Sequence, residues 1–199
     1  MNGPLDGIKV IDLSTIVSGP LAGSLLGDQG ADVIKIESPL RPDNARFMGP
    51  IRGESGALFA AANRSKRSLA LDLKKDGSKE IIYQLIKNSD VIIDNFRPGI
   101  LKKLGLEYED VKKHNSKIIQ LSITGYGVDG PYSKRRVYDP LIQATAGIAN
   151  AQSIDGNPKF VKTLMCDKIT SLTAAQSVTA ALYAREKTNE GQKINLSML

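Results

Sequence analysis

The chain has 199 residues, enough for one sizeable core and few for two, with 41% hydrophobic and 24% charged side chains and no window approaching the roughly 18 unbroken apolar residues of a membrane helix. Its 27 Lys and Arg against 21 Asp and Glu give a net charge of +6, which favours anionic partners, while the lack of Trp and the scarcity of aromatics argue against a stacking surface for nucleic acid and leave a small anionic ligand as the better fit. A single Cys cannot form an internal disulfide, and Met1-Asn2-Gly3-Pro4-Leu5-Asp6 carries neither a basic leader nor an apolar signal core, so the expectation is a cytoplasmic protein with no membrane and no nucleic-acid partner.

In chain order, the β-branched run over residues 8–13 reads as a strand, Gly19-Pro20 as the entrance to a helix over 21–29, and Gly30 as its close. Residues 31–37 read as a second strand stopped by Ser38-Pro39, which makes a strand–helix–strand unit with parallel pairing and a right-handed crossover. The pattern repeats with a strand over 68–73, an amphipathic helix over 75–87 and a strand over 91–94. Two short helices over 101–104 and 108–114, a strand over 118–123, a longer helix over 170–185 and a strand beginning at residue 192 complete it. This alternation predicts an α/β, Rossmann-like, mostly parallel sheet with helices on both faces and ligands beyond the carboxyl ends of its strands. A chain that stops inside a strand reads as a fragment.

The first strand–helix unit invites a dinucleotide-binding reading, with Glu37 where a ribose-binding acid would stand. The turn Thr15-Ile16-Val17-Ser18-Gly19-Pro20-Leu21-Ala22-Gly23 lacks the G-x-G-x-x-G spacing that lets a pyrophosphate approach the backbone, so a nicotinamide or flavin cofactor is disfavoured. Asn63-Arg64-Ser65-Lys66-Arg67 and Lys74-Lys75 put cations at both ends of one expected strand, read either as a phosphate site or as solvated loops. Asn95-Phe96-Arg97-Pro98-Gly99 joins an amide, an aromatic face and a guanidinium after a buried-looking strand, suited to an adenine or phosphate, or to a plain turn. Lys134-Arg135-Arg136-Val137-Tyr138-Asp139 is a further basic cluster, beside a phenol and a carboxylate.

For covalent chemistry the choice is narrow. His114 lies in a polar run and Cys166 in an apolar one, so a Ser/His/Asp or Cys/His arrangement would need an unpromising histidine. Asp167 opens the last strongly helical stretch, and a carboxylate ionised at neutral pH attacks an activated acyl carbon without a general base. The same residue also reads as a first-turn or N-cap residue.

Together these segments resemble the family III CoA-transferases (CaiB/BaiF type, including formyl-CoA transferase). The resemblance is carried by residues 5–13, Gly19-Pro20, residues 30–37 and 63–73, Asn95 to Gly99, Gly125-Tyr126-Gly127, Tyr138-Asp139 and residues 185–192. It implies that residues 1–199 are the N-terminal part of a large domain whose small domain and C-terminal part lie beyond, that the full-length protein is an interlocked homodimer, and that it is an enzyme moving coenzyme A between carboxylic acids. On that resemblance Asp167 is the nucleophile, passing through a mixed anhydride and an aspartyl-CoA thioester, with an acyl-CoA and a small carboxylic acid as substrates and neither ATP nor metal required. The implied CoA contacts are Val17, Ser18, Leu71, Lys74, Asn95, Phe96, Arg97, Lys103, Arg136 and Tyr138. Ser38 departs from relatives that carry an arginine there. Two other readings are an α-methylacyl-CoA racemase-like enzyme, whose relatives place a histidine base where Tyr138 stands, and a non-catalytic CoA-binding module. A phenol with an ordinary pKa near about 10 is a poor base at neutral pH, so transfer is preferred to racemisation.

Overall fold

Short β-branched runs separated by helices build the centre of the protein, seen in a computed structural model that describes residues 3–199. In chain order the elements are β1 (Lys9–Asp12), α1 (Ser18–Asp28), β2 (Asp32–Glu37), a 3-10 turn (Asn44–Phe47), β3 (Ile51–Arg52), β4 (Ser55–Gly56), α2 (Ala57–Ala62), β5 (Lys66–Ala70) and α3 (Ser78–Lys87). They continue with β6 (Val91–Asp94), α4 (Ile100–Leu104), α5 (Tyr108–His114), β7 (Ile119–Thr124), α6 (Asp139–Thr145), α7 (Ile148–Ala151), α8 (Met165–Thr188) and β8 (Lys193–Ser197). Six strands pair in parallel in the order β5-β2-β1-β6-β7-β8, and β3 and β4 form a separate antiparallel pair. The order reverses between β1 and β6, and an open parallel sheet accepts ligands at such a switch point, beyond the carboxyl ends of the strands.

Alternation along the strands divides the core. Val10, Val33, Val91, Ile93, Ile119, Leu121 and Ile123 face α1 and α8, whereas Ile11, Ile36, Ile92 and Ile118 face Ile82 and Ile86 of α3 and Val111 of α5. The result is the expected sheet with helices on both faces. Between α1 and α8 the buried residues include Ala22, Ala174, Ala175 and Ala181, whose small side chains let the two backbones approach. The Ser171 hydroxyl fixes their relative position by donating to Ser18 O at 2.8 Å and to Asp167 O at 2.7 Å.

Two expectations need correction. The strand expected over 68–73 runs instead from Lys66 to Ala70, in register with Val33 to Glu37, so Lys66 and Arg67 belong to the strand rather than to a loop ahead of it. The helix expected from residue 170 begins at Met165, which puts Asp167 inside its first turn. No helix of the described residues is long and apolar enough to cross a membrane.

Candidate active site at the switch point

The loop after β1, the loop after β6 and the end of β7 converge with the first turn of α8 around a cavity of about 210 Å3. Its wall includes Val17, Ser18, Asn95, Phe96, Arg97, Arg136, Tyr138 and Asp167, so most of the candidate site residues share one place. A second cavity of about 660 Å3 lies on the β2–β5 side, lined by Leu71 and Lys74 and again by Asn95, Phe96 and Arg97. Lys103 lies exposed on α4 and lines neither cavity. His114 is remote from both, stacked on Tyr83 at 4.0 Å between ring centroids.

Asp167 is 8% exposed. Burial, and then the charge of Asp139, push its carboxyl pKa up to about 6, against hydrogen bonds from the side chain and backbone of Ser18, which favour the ionised form. Ser18 is the first residue of α1 and Asp167 stands in the first turn of α8, so two helix N-termini meet at one carboxylate. Asp167 therefore does not act as an N-cap. That service is performed from outside the helix: the Asp167 N–H donates to Asp139 Oδ2 at 2.9 Å. Asp139 is held in turn by the Gln143 side-chain amide, whose carbonyl accepts from Val161 N at 2.8 Å. Asp139 was not singled out by itself in the sequence; its sign there is an Asp-Pro helix start followed four residues later by Gln143. Tyr138, beside it, is 65% exposed on the cavity wall. The Cys166 thiol is pushed up by burial and by Asp139 and Asp167, which keeps it a thiol rather than a nucleophile.

The loop opposite Asp167 is tightly tied. Asn95 accepts from Thr15 N at 2.8 Å and donates to Thr15 O at 2.7 Å, so its amide already joins the two loops at the switch point. Ile16 adopts φ +69°, a conformation that costs a β-branched residue about 1–3 kcal/mol and must be held by its surroundings. Gly19 meets a different constraint, since a Cβ there would overlap the Ser14 side chain.

The basic cluster around residues 64–67 is not a phosphate site. Lys66 is buried and donates to Asp12 Oδ2, Pro20 O and Asn63 Oδ1 at 2.7–2.9 Å. Burial lowers the Lys66 pKa against the charge and hydrogen bond of Asp12, while Lys66 and Lys35 hold Asp12 below the usual carboxylate range against its own burial. Arg64 and Arg67 pair with Asp28 and Asp32 at the surface. Glu37 likewise accepts from Arg46 and from Asp43 N rather than presenting a free carboxylate. By contrast, Arg97, Arg135 and Arg136 line the Asp167 cavity without an ion-pair partner among the described residues. Arg41, three residues beyond Ser38, brings a further guanidinium to the larger cavity.

The chain is 39% identical over 198 residues to an acetyl-CoA:oxalate CoA-transferase of Acetobacter aceti, covering 98% of this chain and 51% of the relative. It is 38% identical to a succinate–glutarate CoA-transferase of Agrobacterium fabrum, with the same coverage. The crystal structure of a CaiB/BaiF family protein from Brucella suis superposes with a TM-score of 0.95 at 41% identity, covering all of this chain and 54% of that one. The chain thus spans about half the length of the curated relatives it matches. With the family's sequence profile matched from residue 5 to residue 199, the chain belongs to CoA-transferase family III.

Proposed function

We propose that the protein carrying this chain is an acyl-CoA:carboxylate CoA-transferase that works through a covalent intermediate on Asp167. The observation that carries this reading is the Asp167 carboxylate itself, poised in a cavity with three guanidinium groups that have no ion-pair partner among the described residues, Arg135 lying over the Tyr132 ring, and close to a larger cavity suited to the rest of a long ligand. An Asp167 oxygen attacks the thioester carbonyl, the carbon–sulfur bond breaks, and CoA leaves as the thiolate while acyl and aspartyl groups form a mixed anhydride. The thiolate then attacks the aspartyl carbonyl, expelling the first carboxylate and leaving aspartyl-CoA thioester. The incoming carboxylate repeats these steps in reverse, so the energy of the thioester is kept throughout.

A carboxyl pKa of about 6 suits this work. Asp167 is about nine-tenths ionised at pH 7, and it is more basic than an ordinary aspartate, which makes it the better nucleophile. The rate of acyl transfer is therefore expected to rise with pH through about 6 and level off above, as the reactive form is the deprotonated one. A profile of kcat/KM that is flat from about pH 5 to about 8 would show that another group limits the reaction.

The second substrate is proposed to be a short dicarboxylic acid. Its reacting carboxylate faces Asp167 and its other one meets Arg97, Arg135 or Arg136, each of which can hold a carboxylate through paired N–H donors. The relatives named for oxalate, succinate and glutarate point the same way. Replacing Arg135 or Arg136 by alanine is expected to raise KM for such an acid by roughly ten- to a hundred-fold, the size of one lost charge-assisted hydrogen bond, with little change for a monocarboxylate. Equal effects on both acids in steady-state assays would refute the assignment.

The direct test incubates the full-length protein with a panel of acyl-CoAs and reads added mass on the peptide containing Asp167, with hydroxylamine to trap the adduct. Mass on that peptide supports the transferase. CoA binding with no adduct from any donor would identify a binding module instead.

A further inference from the structure

Four charged side chains lie under the loop that faces the nucleophile. Asp12, Lys35, Asp43 and Lys66 each have a side chain no more than 2% exposed, joined as the pairs Lys66–Asp12 at 2.7 Å and Lys35–Asp43 at 3.2 Å. Burying so many charges is costly, and apolar side chains of similar volume would hold a sheet to a helix as well, so the directions in which these groups point carry information. Three of them, Asp12, Lys35 and Asp43, point at the backbone of residues 14–16, while Lys66 holds Asp12 from the other side. Lys35 Nζ donates to Ser14 O at 2.6 Å, Asp12 Oδ1 accepts from Ser14 N at 2.9 Å, and both oxygens of Asp43 accept from Ile16 N at 3.0 and 3.1 Å. Asp43 is itself secured, its N–H donating to Glu37 Oε1 at 2.9 Å while Arg46 holds the Glu37 carboxylate.

Ile16 is the position that needs this support, because an isoleucine at φ +69° relaxes to extended backbone when its ties are removed. Such a relaxation turns the peptide units on either side of it. Two residues on is Ser18, which shares the cavity wall with Asp167 and whose side chain and backbone favour the ionised Asp167, and Ser171 bridges the two by donating to Ser18 O and Asp167 O.

We infer that Lys35 and Asp43 are positioning residues for the nucleophile, acting through the backbone of residues 14–16 to set the hydrogen bonds that Ser18 gives to Asp167. This rests on Asp167 being the nucleophile, as proposed above. Neither Lys35 nor Asp43 lines the Asp167 cavity, so neither touches the reacting atoms, although Asp43 reaches the wall of the larger cavity and Lys35 lines neither. The charged and titratable groups that do face Asp167 are Asp139 from α6, Cys166 from its own helix, and Arg97, Arg135, Arg136 and Tyr138 from the loops.

The test uses the full-length protein and the variants Lys35→Met, Asp43→Ala and Asp43→Asn, with Ser18→Ala as the reference. Loss of the Ser18 hydrogen bonds removes a favourable contact of the ionised carboxylate, so the acid limb of the pH–rate profile moves upward from about 6. Lys35→Met and Asp43→Ala are expected to move it in the same direction as Ser18→Ala. They should slow acylation of Asp167 roughly ten- to a hundred-fold, as a misplaced reacting group does, and for Lys35→Met, which lines neither cavity, KM for the donor should change by less than about three-fold. Asp43→Asn keeps an acceptor for the Ile16 N–H and should retain most of the rate. A purely structural role predicts a lower melting temperature with the limb unmoved. Should Asp43→Ala not fold, Glu37→Leu removes the acceptor of the Asp43 N–H and carries the same expectation at smaller size. A wild-type adduct on Asp167 combined with an unmoved limb and undiminished acylation in the folded variants overturns the inference alone; no wild-type adduct overturns the transferase reading with it.

Discussion

Replacing Asp167 by asparagine is expected to abolish the proposed covalent intermediate and, at the same time, to make the folded protein more stable at pH 7. The first effect is the loss of the attacking oxygen, and transfer should fall by at least about a thousand-fold in steady-state assays of the full-length protein. The second follows from proton linkage. A carboxyl pKa raised to about 6 in the folded protein, from an ordinary value of 3.8, means that the folded state binds the proton more tightly than the unfolded chain does. The stability contributed by the protonated form is fully present below the unfolded pKa and is lost as pH rises through about 6, so at pH 7 the ionised group weighs against folding. Asparagine removes that charge and its repulsion from the Asp139 carboxylate. The gain is about 1–3 kcal/mol, or several degrees in melting temperature for a chain of this size. A variant that is both inactive and less stable than wild type would mean that the site holds Asp167 for structural reasons. Substantial turnover by the variant would remove it from the mechanism.

The opposite result is expected at Lys66. Its ammonium is buried with three acceptors around it, and Lys66→Met leaves Asp12 without its nearest counter-charge and Pro20 O and Asn63 Oδ1 without their donor. Breaking one partner out of a buried ion pair costs about 3–5 kcal/mol. That corresponds to roughly 6–20 °C of melting temperature in a chain of this length. The double variant Lys66→Met/Asp12→Asn, which also removes the stranded charge but keeps an acceptor for Ser14 N, should recover much of the loss. Denaturant titration of the three proteins measures this directly. A loss below about 1 kcal/mol in the single variant would show that water reaches the pair and screens it.

Lys66 also shows where the sequence is legible and where it is not. The central strands β1, β2, β6 and β7 announce themselves because buried parallel strands must be continuous β-branched runs. Strand β5 lies at the sheet edge, where half-exposed residues satisfy the pairing, so the apolar run Leu69-Ala70-Leu71 draws the expected strand toward residue 73, beyond the ladder that the hydrogen bonds to β2 define. A lysine beside two arginines then looks like a solvated cluster. Its partner, Asp12, is 54 residues away, and no local pattern reveals a buried pair formed by folding. The site divides in the same manner. Asp167, Asn95 to Arg97, Arg136 and Tyr138 are found as motifs, and folding brings them to one cavity. Asp139 and Asp43 carry local signs, an Asp-Pro helix start and the cap of a 3-10 turn, but the backbone N–H groups of Asp167 and Ile16 that they also serve lie far along the chain and leave no local trace. Length alone does not decide which short helices show: α4 and α5 are read, whereas α2 and α6, of similar length, are not.

The three residues Asn95, Phe96 and Arg97 belong to the walls of both cavities. A ligand long enough to fill both must grip one short segment of chain from two sides, and that segment is clamped to Thr15 in the strained loop. Whatever the distal part of such a ligand gains from the larger cavity can therefore be used to settle the segment next to the reacting carboxylate. Donors shortened at the far end should then lose turnover as well as affinity, because favourable contacts made far from the reaction centre contribute most when they are expressed in the transition state.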